Sequence, residues 1–511
     1  MGPLAPPFVR SPLLPLPLLL LAVGPLAVGC RPAEALIRRP VPPPPPLSAS
    51  RPVLWVALAA HLGQSPLRLQ GAGAPLELVD ARGQRHRADS LELAWRNEPL
   101  PQPLRLERQV LGPFASFESA EQIAQAWARP GREPVIAHPA DWEVWAEPGL
   151  PPPPGQRPRL QQLRISQQLV PQLRSAGGWR RLQGPVRITA PRGLRWQGGV
   201  YAGPFRLQAD AHGGWSLVEQ VPLERYLEGV VPHEIGAGAP AAALAAQAVL
   251  ARTWALRNQH RFVVDGYHLC ADTQCQVYSD PRQAGGSVRR AIAATTARVL
   301  SWRRQPVHAV YHASNGGVAA AYEEAWNAPP LPYLRPGVDG PPSLLAVVAL
   351  PLSAEVGLRV LLQRGGQAHG SAHELFRWTR RFDRAQIERA LGSRAAGIGR
   401  LQQVQVLERG PSGRVLRLAL RGSTGSLVLQ RDAIRRTLRG LPSTLFVLRS
   451  DAPGVWRFEG GGFGHGAGLS QAGAIELAGR GWSLERILSH YYPGTSLVRL
   501  EALEPAGGPG S

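Results

Sequence analysis

The sequence of 511 residues contains no lysine, so all 57 basic residues are arginine. With 36 acidic residues they give a formal charge of +21, which alone would favour a nucleic acid, an anionic membrane or an acidic polymer as partner. The arginines are scattered among Leu, Ala, Pro and Gly, and zinc-finger spacing, an aromatic RNA platform and a basic-region helix are all missing. We therefore attribute the charge to compositional bias and expect no nucleic-acid binding.

Long apolar runs are missing after the first 30 residues, so no membrane-spanning helix is expected in the mature protein. Before that point, Arg10 precedes an apolar, proline-interrupted stretch from Leu13 to Val28, the order typical of a secretory signal. The stretch ends LAVGC at residues 26–30, which resembles a bacterial lipobox, although Ala27 departs from the usual Leu. Lipid anchoring of Cys30 and ordinary cleavage both remain open. Either predicts export to the periplasm or cell envelope.

Cysteine is scarce, with Cys30, Cys270 and Cys275 alone present. Lipidation of Cys30 would explain the odd number, which is otherwise unusual in an exported protein. The remaining pair lies close to His268. Two thiolates and an imidazole within eight residues could hold Zn²⁺, whereas an oxidising compartment favours a disulfide, and the residues alone leave both open.

Proline-rich segments divide the chain. We expect a signal over 1–30, a Pro-rich, extended and solvated linker over 31–50, and a small N-terminal module of unknown role over 51–147. A second linker over 148–158 then leads to a main domain over 159–505 and a flexible tail over 506–511. No internal repeat is evident.

Short strand-like runs and a few helices are segregated rather than alternating, which predicts an α+β fold. One long helix is expected from Pro240 to about Gln259, because alanine, leucine, glutamine and arginine fill it with few breakers. Other helices are predicted at Ser116–Ala128 and His373–Leu391. The predicted strands are 54–58, 67–69, 76–79, 186–189, 194–196, 205–208, 215–218, 404–408, 415–420 and 427–429.

Glu234 is the first candidate for chemistry. It follows the apolar stretch Gly229–Pro232 and precedes the long helix, where partial desolvation would raise the pKa of a carboxyl group to the level that a general acid needs. The alternative is that Glu234 merely complements the positive end of the helix. Arg252 lies on an otherwise apolar stripe of that helix, so it should have a partner, either Glu234 or a substrate group.

Two further polar segments could line a binding site. Residues 311–317 read YHASNGG and residues 460–468 read GGGFGHGAG, and both combine glycine with side chains that hydrogen-bond. Ordinary turns would explain them as well. The second segment fails the dinucleotide-binding fingerprint, since Ala467 stands where its third glycine should be, and it has no Walker lysine. We interpret it as a close-packed site wall around His465.

Taken together, these segments resemble the SpoIID/LytB family of bacterial cell-wall proteins. The resemblance runs in order from about residue 180 to 500. It is carried by VPLERYLEGVVPHE (221–234), AAQAVLARTWAL (245–256), HLCADTQCQVY (268–278), YHASNGG (311–317), LPSTLF (441–446), GFGHGAGLSQAGA (462–474) and HYYPGT (490–495).

The resemblance implies a peptidoglycan lytic transglycosylase that cleaves glycan strands, particularly strands stripped of their stem peptides, with Glu234 as its catalytic acid. It implies structural zinc at His268, Cys270 and Cys275, although the short His-x-Cys spacing departs from the family, and so do His233 and the small residues 235–240. The glycan groove would be lined by Arg252, Tyr311, His312, Ser314, His465, Ser470 and Gln471. The rival implied by the amidase-enhancer branch is a non-catalytic glycan-binding protein that stimulates a cell-wall amidase.

Overall fold

The computed structural model describes residues 36–48 and 50–504. Cys30 and the predicted signal and tail lie outside these residues. The described chain is a mixed, strand-rich protein with several sheets, and residues from Leu36 onward belong to one compact unit. Among the described residues, no helix has both the length and the apolarity needed to cross a lipid bilayer.

The strands are as follows: β1 Val53–Leu62, β2 Leu67–Gly71, β3 Leu76–Val79, β4 Arg85–Ala88, β5 Ser90–Phe114, β6 Val135–Ala137, β7 Trp142–Ala146, β8 Arg159–Ser175, β9 Gly178–Arg181, β10 Val186–Thr189, β11 Leu194–Trp196, β12 Gly199–Tyr201, β13 Phe205–Ala209, β14 Trp215–Pro222, β15 Leu269–Cys270, β16 Arg298–Trp302, β17 Gln305–Pro306, β18 Tyr311–His312, β19 Val318–Ala319, β20 Gly337–Val338, β21 Trp378–Asp383, β22 Leu401–Arg409, β23 Val415–Gly422, β24 Ser426–Gln430, β25 Phe446–Ala452, β26 Val455–Gly460, β27 Leu469–Ser470 and β28 Ser496–Arg499.

The helices are α1 Phe117–Trp127, α2 Leu223–Val231, α3 Ala241–Arg257, α4 Gly286–Ala294, α5 Tyr322–Ala325, α6 Pro342–Leu345, α7 Glu355–Arg364, α8 Arg384–Leu391, α9 Asp432–Thr437, α10 Gln471–Gly479 and α11 Leu484–Tyr491. A π-helical turn, Pro232–Gly236, connects α2 to the segment before α3. Short 3₁₀ turns cover Val263–Asp265, Pro281–Gln283, Gly365–Gln367, Gly392–Gly397 and Leu500–Ala502.

Two large sheets contain most of the N-terminal half. One has the order β15-β1-β14-β13-β10-β3-β4, and the other has the order β12-β11-β2-β5-β7-β6 with β8 and β9 attached. In the first, β1 lies between β14 and the short parallel strand β15. In the second, β5 and β8 form one long antiparallel ladder that shifts register between Pro99 and Leu104.

These sheets cross the predicted boundary at 148–158. Strands β1 to β7 precede it, and strands β8 to β14 follow it, yet both groups pair within the same two sheets. The expected separate module over 51–147 is therefore not a separate body in this structure. The expected solvated linker also differs, because Val41 and Pro44 are buried against the folded chain.

Helix α3 lies at the centre of the largest core. Its side chains from Ala243 to Leu256 are buried, apart from the half-buried Ala245, which suits an alanine- and leucine-rich segment with no polar face. Helices α2, α4, α10 and α11 pack against it. The predicted helix at Pro240–Gln259 is therefore confirmed within two residues at each end.

The C-terminal half adds a second core between two three-stranded sheets, β21-β26-β25 and β22-β23-β24. The predicted helix at His373–Leu391 was wrong over its first half. Residues 378–383 form β21, in which burial alternates from Trp378 onward. The helix begins after Asp383, whose side chain accepts from Gln386 N–H in a capping box.

Candidate active site

Glu234 lies on the π-helical turn between α2 and α3, at the edge of a cleft of about 640 Å³. Its Oε1 accepts a hydrogen bond from the backbone N–H of Val277 at 3.1 Å. Burial raises the pKa of this carboxyl group, while the hydrogen bonds from Val277 and the Tyr311 side chain partly oppose the rise. The group therefore has the partly desolvated character that its sequence position predicts.

A directional set of hydrogen bonds positions Tyr311 beside Glu234. The Tyr226 hydroxyl donates to Gln276 Oε1 at 3.2 Å, and Gln276 Nε2 donates to the Tyr311 hydroxyl oxygen at 2.9 Å. Because the Tyr311 oxygen accepts from Gln276, its own proton is free to point at Glu234. Gln276 is 2% exposed, so this orientation is enforced from the protein interior. Sequence reasoning missed Gln276 and Tyr226.

His465 also lines the cleft, next to the backbone of Tyr311. Its Nδ1 accepts from the Ala467 N–H at 3.2 Å, so Nε2 carries the proton and donates to the Tyr311 carbonyl at 2.9 Å. Burial, helped by the charge of Arg435, lowers the pKa of His465 to about 3. This histidine is therefore a neutral positioning group at physiological pH.

The glycine-rich segment around His465 is a close-packed wall, as its composition predicts. Gly464 and Gly466 have φ of +117° and +86°, a region that L side chains rarely adopt. A Cβ at Gly466 would lie 2.1 Å from the guanidinium of Arg414, which is fully buried behind it. An ordinary exposed turn would have room for a Cβ at this position, so it is the close packing against Arg414 that requires glycine here.

Five of the seven predicted groove residues lie elsewhere. Arg252 is fully buried and forms an ion pair with Glu224, with N–O distances of 2.8 and 2.6 Å, instead of reaching Glu234 or the cleft. His312 and Ser314 are buried behind the cleft wall. Ser470 caps α10 and Gln471 bonds to Gln247 of α3, so both serve helix packing. Tyr311 and His465 do line the cleft.

The predicted zinc ligands do not form a zinc-binding set. Cys270 and Cys275 are joined in a disulfide. His268 accepts from the Trp55 N–H at Nδ1 and donates from Nε2 to the Pro45 carbonyl, at 2.9 and 3.0 Å. Both ring nitrogens are therefore used by backbone groups. Over residues 36–48 and 50–504, no three His, Cys, Asp or Glu side chains converge as metal ligands.

The cleft has two other carboxylates, and each has a protein partner. Glu118 pairs with Arg261. Asp432 Oδ2 accepts from the hydroxyls of Ser116 and Ser119 at 2.6 and 3.0 Å. Glu234 differs from Glu118 in that its partners are a backbone N–H and a phenol rather than a cation. Asp432 also lacks a cation partner, and burial raises the pKa of its carboxyl group as well, but its Oδ2 is occupied by the two serine hydroxyls.

Other lining residues come from several parts of the chain. Aromatic rings are contributed by Phe117, Trp254 and Trp326, and the end of the disulfide loop with the two residues after it contributes 273–277. A further group was missed from the sequence: Arg431, Arg435, Arg436 and Arg439, on and beside α9. The expectation that arginines are nowhere gathered was wrong for this segment, RDAIRRTLR at 431–439.

A family model described as stage II sporulation protein, SpoIID, matches residues 211–302, which contain Glu234, Gln276 and Val277. The chain carries a SpoIID domain. A second model, described as a domain of unknown function (DUF8618), matches residues 320–468, which contain Trp326, α9 and His465. The cleft thus lies where the SpoIID domain meets this second region and residues 115–118.

Named relatives agree with the SpoIID domain. The chain is 29% identical over 313 residues to the stage II sporulation protein D of Bacillus amyloliquefaciens, covering 56% of this chain and 76% of that protein. The Bacillus subtilis protein of the same name is 27% identical over 300 residues, covering 56% and 77%. The amidase enhancer of Bacillus subtilis is 27% identical over 291 residues, covering 53% of this chain but 40% of that protein.

Proposed function

We propose that the protein is a lytic transglycosylase that cleaves the glycan strands of peptidoglycan and leaves 1,6-anhydro-muramic acid ends. The observation that carries the proposal is Glu234, a carboxyl group of raised pKa at the edge of a cleft large enough for a sugar chain. The SpoIID domain around it supports a role at the cell wall. Aromatic faces beside polar groups suit a carbohydrate ligand.

One carboxyl group is sufficient for this reaction. Protonated Glu234 donates its proton to the glycosidic oxygen as the bond between that oxygen and the anomeric carbon breaks. The resulting carboxylate then accepts the proton of the muramic 6-hydroxyl as O6 bonds to the anomeric carbon, which restores the acid. No water is consumed. A second carboxylate, which hydrolytic glycosidases use, has no role in this sequence.

The surroundings of Glu234 fit both halves of the cycle. Burial favours the protonated form that begins the reaction, whereas the Val277 N–H and Tyr311 stabilise the carboxylate in the middle. Opposing influences of this kind bring the pKa of an acid-base group towards the working pH, where proton transfer in both directions is efficient.

The test is digestion of purified, peptide-stripped peptidoglycan, with the products identified by mass spectrometry. Wild type should release anhydro-ended fragments, and Glu234→Gln should release none while remaining folded. Glu228→Gln is the matched control, since Glu228 lies on the neighbouring helix outside the cleft and pairs with Arg225. Unchanged release by Glu234→Gln would refute the proposal.

The similarity to an amidase enhancer favours a second candidate, a non-catalytic protein that binds glycan and stimulates a cell-wall amidase. It predicts no anhydro products from wild type. Stimulation of N-acetylmuramoyl-L-alanine amidase would then depend on the presence of cell wall and survive Glu234→Gln.

We also propose that the protein acts outside the cytoplasm, in the periplasm or cell envelope, with an anchor at Cys30 or a cleaved signal. The disulfide between Cys270 and Cys275 supports this location, because such bonds persist in oxidising compartments. The matches to sporulation and amidase-enhancer proteins are consistent with it.

A further inference from the structure

Among the arginines of the cleft that are not exposed to solvent, Arg435 has no protein partner within the described residues. Its side chain lies largely buried on α9, and its Nε is inaccessible to solvent without a hydrogen-bond partner. No carboxylate of the described residues lies within ion-pair distance of it, whereas Arg436, the next residue, pairs with Asp141 at 2.6 Å. Arg431 donates to the Glu323 carbonyl at 2.8 Å.

A guanidinium in this position costs free energy unless an anion pairs with it. Desolvation of an unpaired cation is unfavourable by several kcal/mol, and removal of water from the cleft by a ligand would increase that cost. Arg414 adds to the electropositive character, because its guanidinium lies close enough to Arg435 for the two positive charges to repel each other. Arg439, also in the cleft lining, is exposed at its rim.

We propose that Arg435 is the centre of an anion subsite in the Glu234 cleft, which binds a carboxylate of the glycan substrate with Arg439 at its rim. The inference rests on the proposed function, since it assumes that the cleft takes peptidoglycan. Arginine presents parallel N–H donors that match the two oxygens of a carboxylate. Asp432, whose oxygens already accept from two serines, does not compete for Arg435.

Peptidoglycan has two sources of such a carboxylate. A muramic residue without its peptide exposes the lactyl carboxylate on the sugar itself. A muramic residue with its peptide instead presents the carboxylates of the peptide, further from the glycan chain. The subsite lies in the same cleft as the acid, so the lactyl group is the source that we expect.

The experiment measures binding rather than turnover. Calorimetry on the full exported chain, in a Glu234→Gln background, compares a peptide-free muramic-containing tetrasaccharide with the same sugar after conversion of its lactyl carboxyls to methylamides. We expect the carboxylate sugar to bind about tenfold more tightly, the usual size of a charge-assisted pair. Arg435→Gln should remove this preference and leave the affinity for the amide sugar unchanged.

Arg394→Gln is the matched control, since Arg394 is not part of the cleft lining and donates to Thr437 on the same helix as Arg435. It should retain the preference. Arg435→Lys keeps the charge without the paired donors and should keep part of the preference, which also covers the case in which the glutamine variant does not fold. Equal affinity for the two sugars in the parent protein, or an equal loss for both in Arg435→Gln, would overturn the subsite.

A third ligand, the tetrasaccharide with stem peptides attached, identifies the source of the carboxylate. Arg435-dependent binding of this ligand at the strength of the free-lactyl sugar would support the subsite and show that it accepts a carboxylate from either source. Arg435-dependent binding of the free-lactyl sugar alone assigns it to the glycan. Because no turnover is needed, the subsite can stand even where the digestion assay shows no anhydro products.

Discussion

Glu234 makes a residue-level prediction about stability that is independent of any substrate. Burial raises the pKa of its carboxyl above the ordinary value of 4.5, so the folded protein holds the proton more tightly than the unfolded chain. The wild type should therefore lose stability as pH rises from about 4.5 through the raised value. Glu234→Gln lacks this loss, so its stability relative to wild type should increase from about pH 4 to about pH 7.

Urea unfolding of both proteins at the two pH values measures this difference, in which the titration of all other groups cancels. Glu485→Gln is a control of opposite sign. Its own backbone N–H and the Arg298 guanidinium lower the pKa of Glu485, so the stabilising effect of its charge appears above its unfolded pKa and is lost on acidification. A stability difference between wild type and Glu234→Gln that did not vary with pH would contradict the burial of Glu234.

Only some of the site residues predicted from sequence motifs lie in the cleft. Glu234, Tyr311 and His465 were found from the sequence because the quoted segments surround the cleft. The same segments led to Arg252, Ser470 and Gln471, which bond to Glu224, the α10 backbone and Gln247. A sequence motif identifies polar residues, but only their burial in the structure separates the residues that pack inside the protein from those that line the cleft.

At the scale of elements, the disulfide loop 270–275 has the clearest consequence. It leads directly into Gln276 and Val277, which orient Tyr311 and donate to Glu234. Opening such a short loop should cost about 2 kcal/mol by the chain-entropy relation. The Cys270→Ser, Cys275→Ser double variant should therefore melt at a lower temperature and lose more of the proposed transglycosylase activity than its stability loss explains.

Anhydro-product release measured well below the melting temperature tests the link between this loop and Glu234, and mild reduction of the wild type should reproduce the loss. Loss of the Val277 hydrogen bond would raise the pKa of Glu234 further, so the double variant should retain its remaining activity to a higher pH than the wild type. Full activity in a reduced or substituted protein would show that the loop holds its position without the bond.

Elements with a clear alternation of apolar residues could be predicted from the sequence, whereas elements that depend on pairing with distant segments could not. Strands β3, β10 and β11 occupy the predicted residues, because alternating burial is visible in short runs bounded by turns. The long strands β5 and β8 escaped prediction, since much of their ladder is exposed and carries no apolar alternation. The short helix α9 was missed, although arginines on it and beside it line the cleft.

At the scale of the whole molecule, the cleft belongs to four chain segments at once. Ser116 to Glu118 lie at the start of helix α1, and Glu234 to Val277 belong to the SpoIID match. Tyr311 lies between the two matches, and Trp326 to His465 lie in the second matched region. Proline-rich segments suggested a division at 148–158, but composition does not reveal strand pairing between residues more than 100 positions apart, as in β1 with β14.

This shared architecture predicts that a chain of residues 159–511 will not fold alone. It would lack β1, which separates β14 from β15, and β2 and β5, which connect β11 to the rest of the second sheet. Without these strands, apolar side chains of the main core that residues before and after position 150 bury together would be exposed to solvent. The sheet edges left unpaired would also favour aggregation.

Residues 36–511 should instead unfold in a cooperative thermal transition with a strong near-ultraviolet dichroism signal. Co-expression of 36–147 with 159–511 should restore that signal, because the missing strands are supplied in trans. A cooperative transition from 159–511 by itself would show that residues 51–147 are a dispensable module, and the cleft would then have to form without Ser116, Phe117 and Glu118.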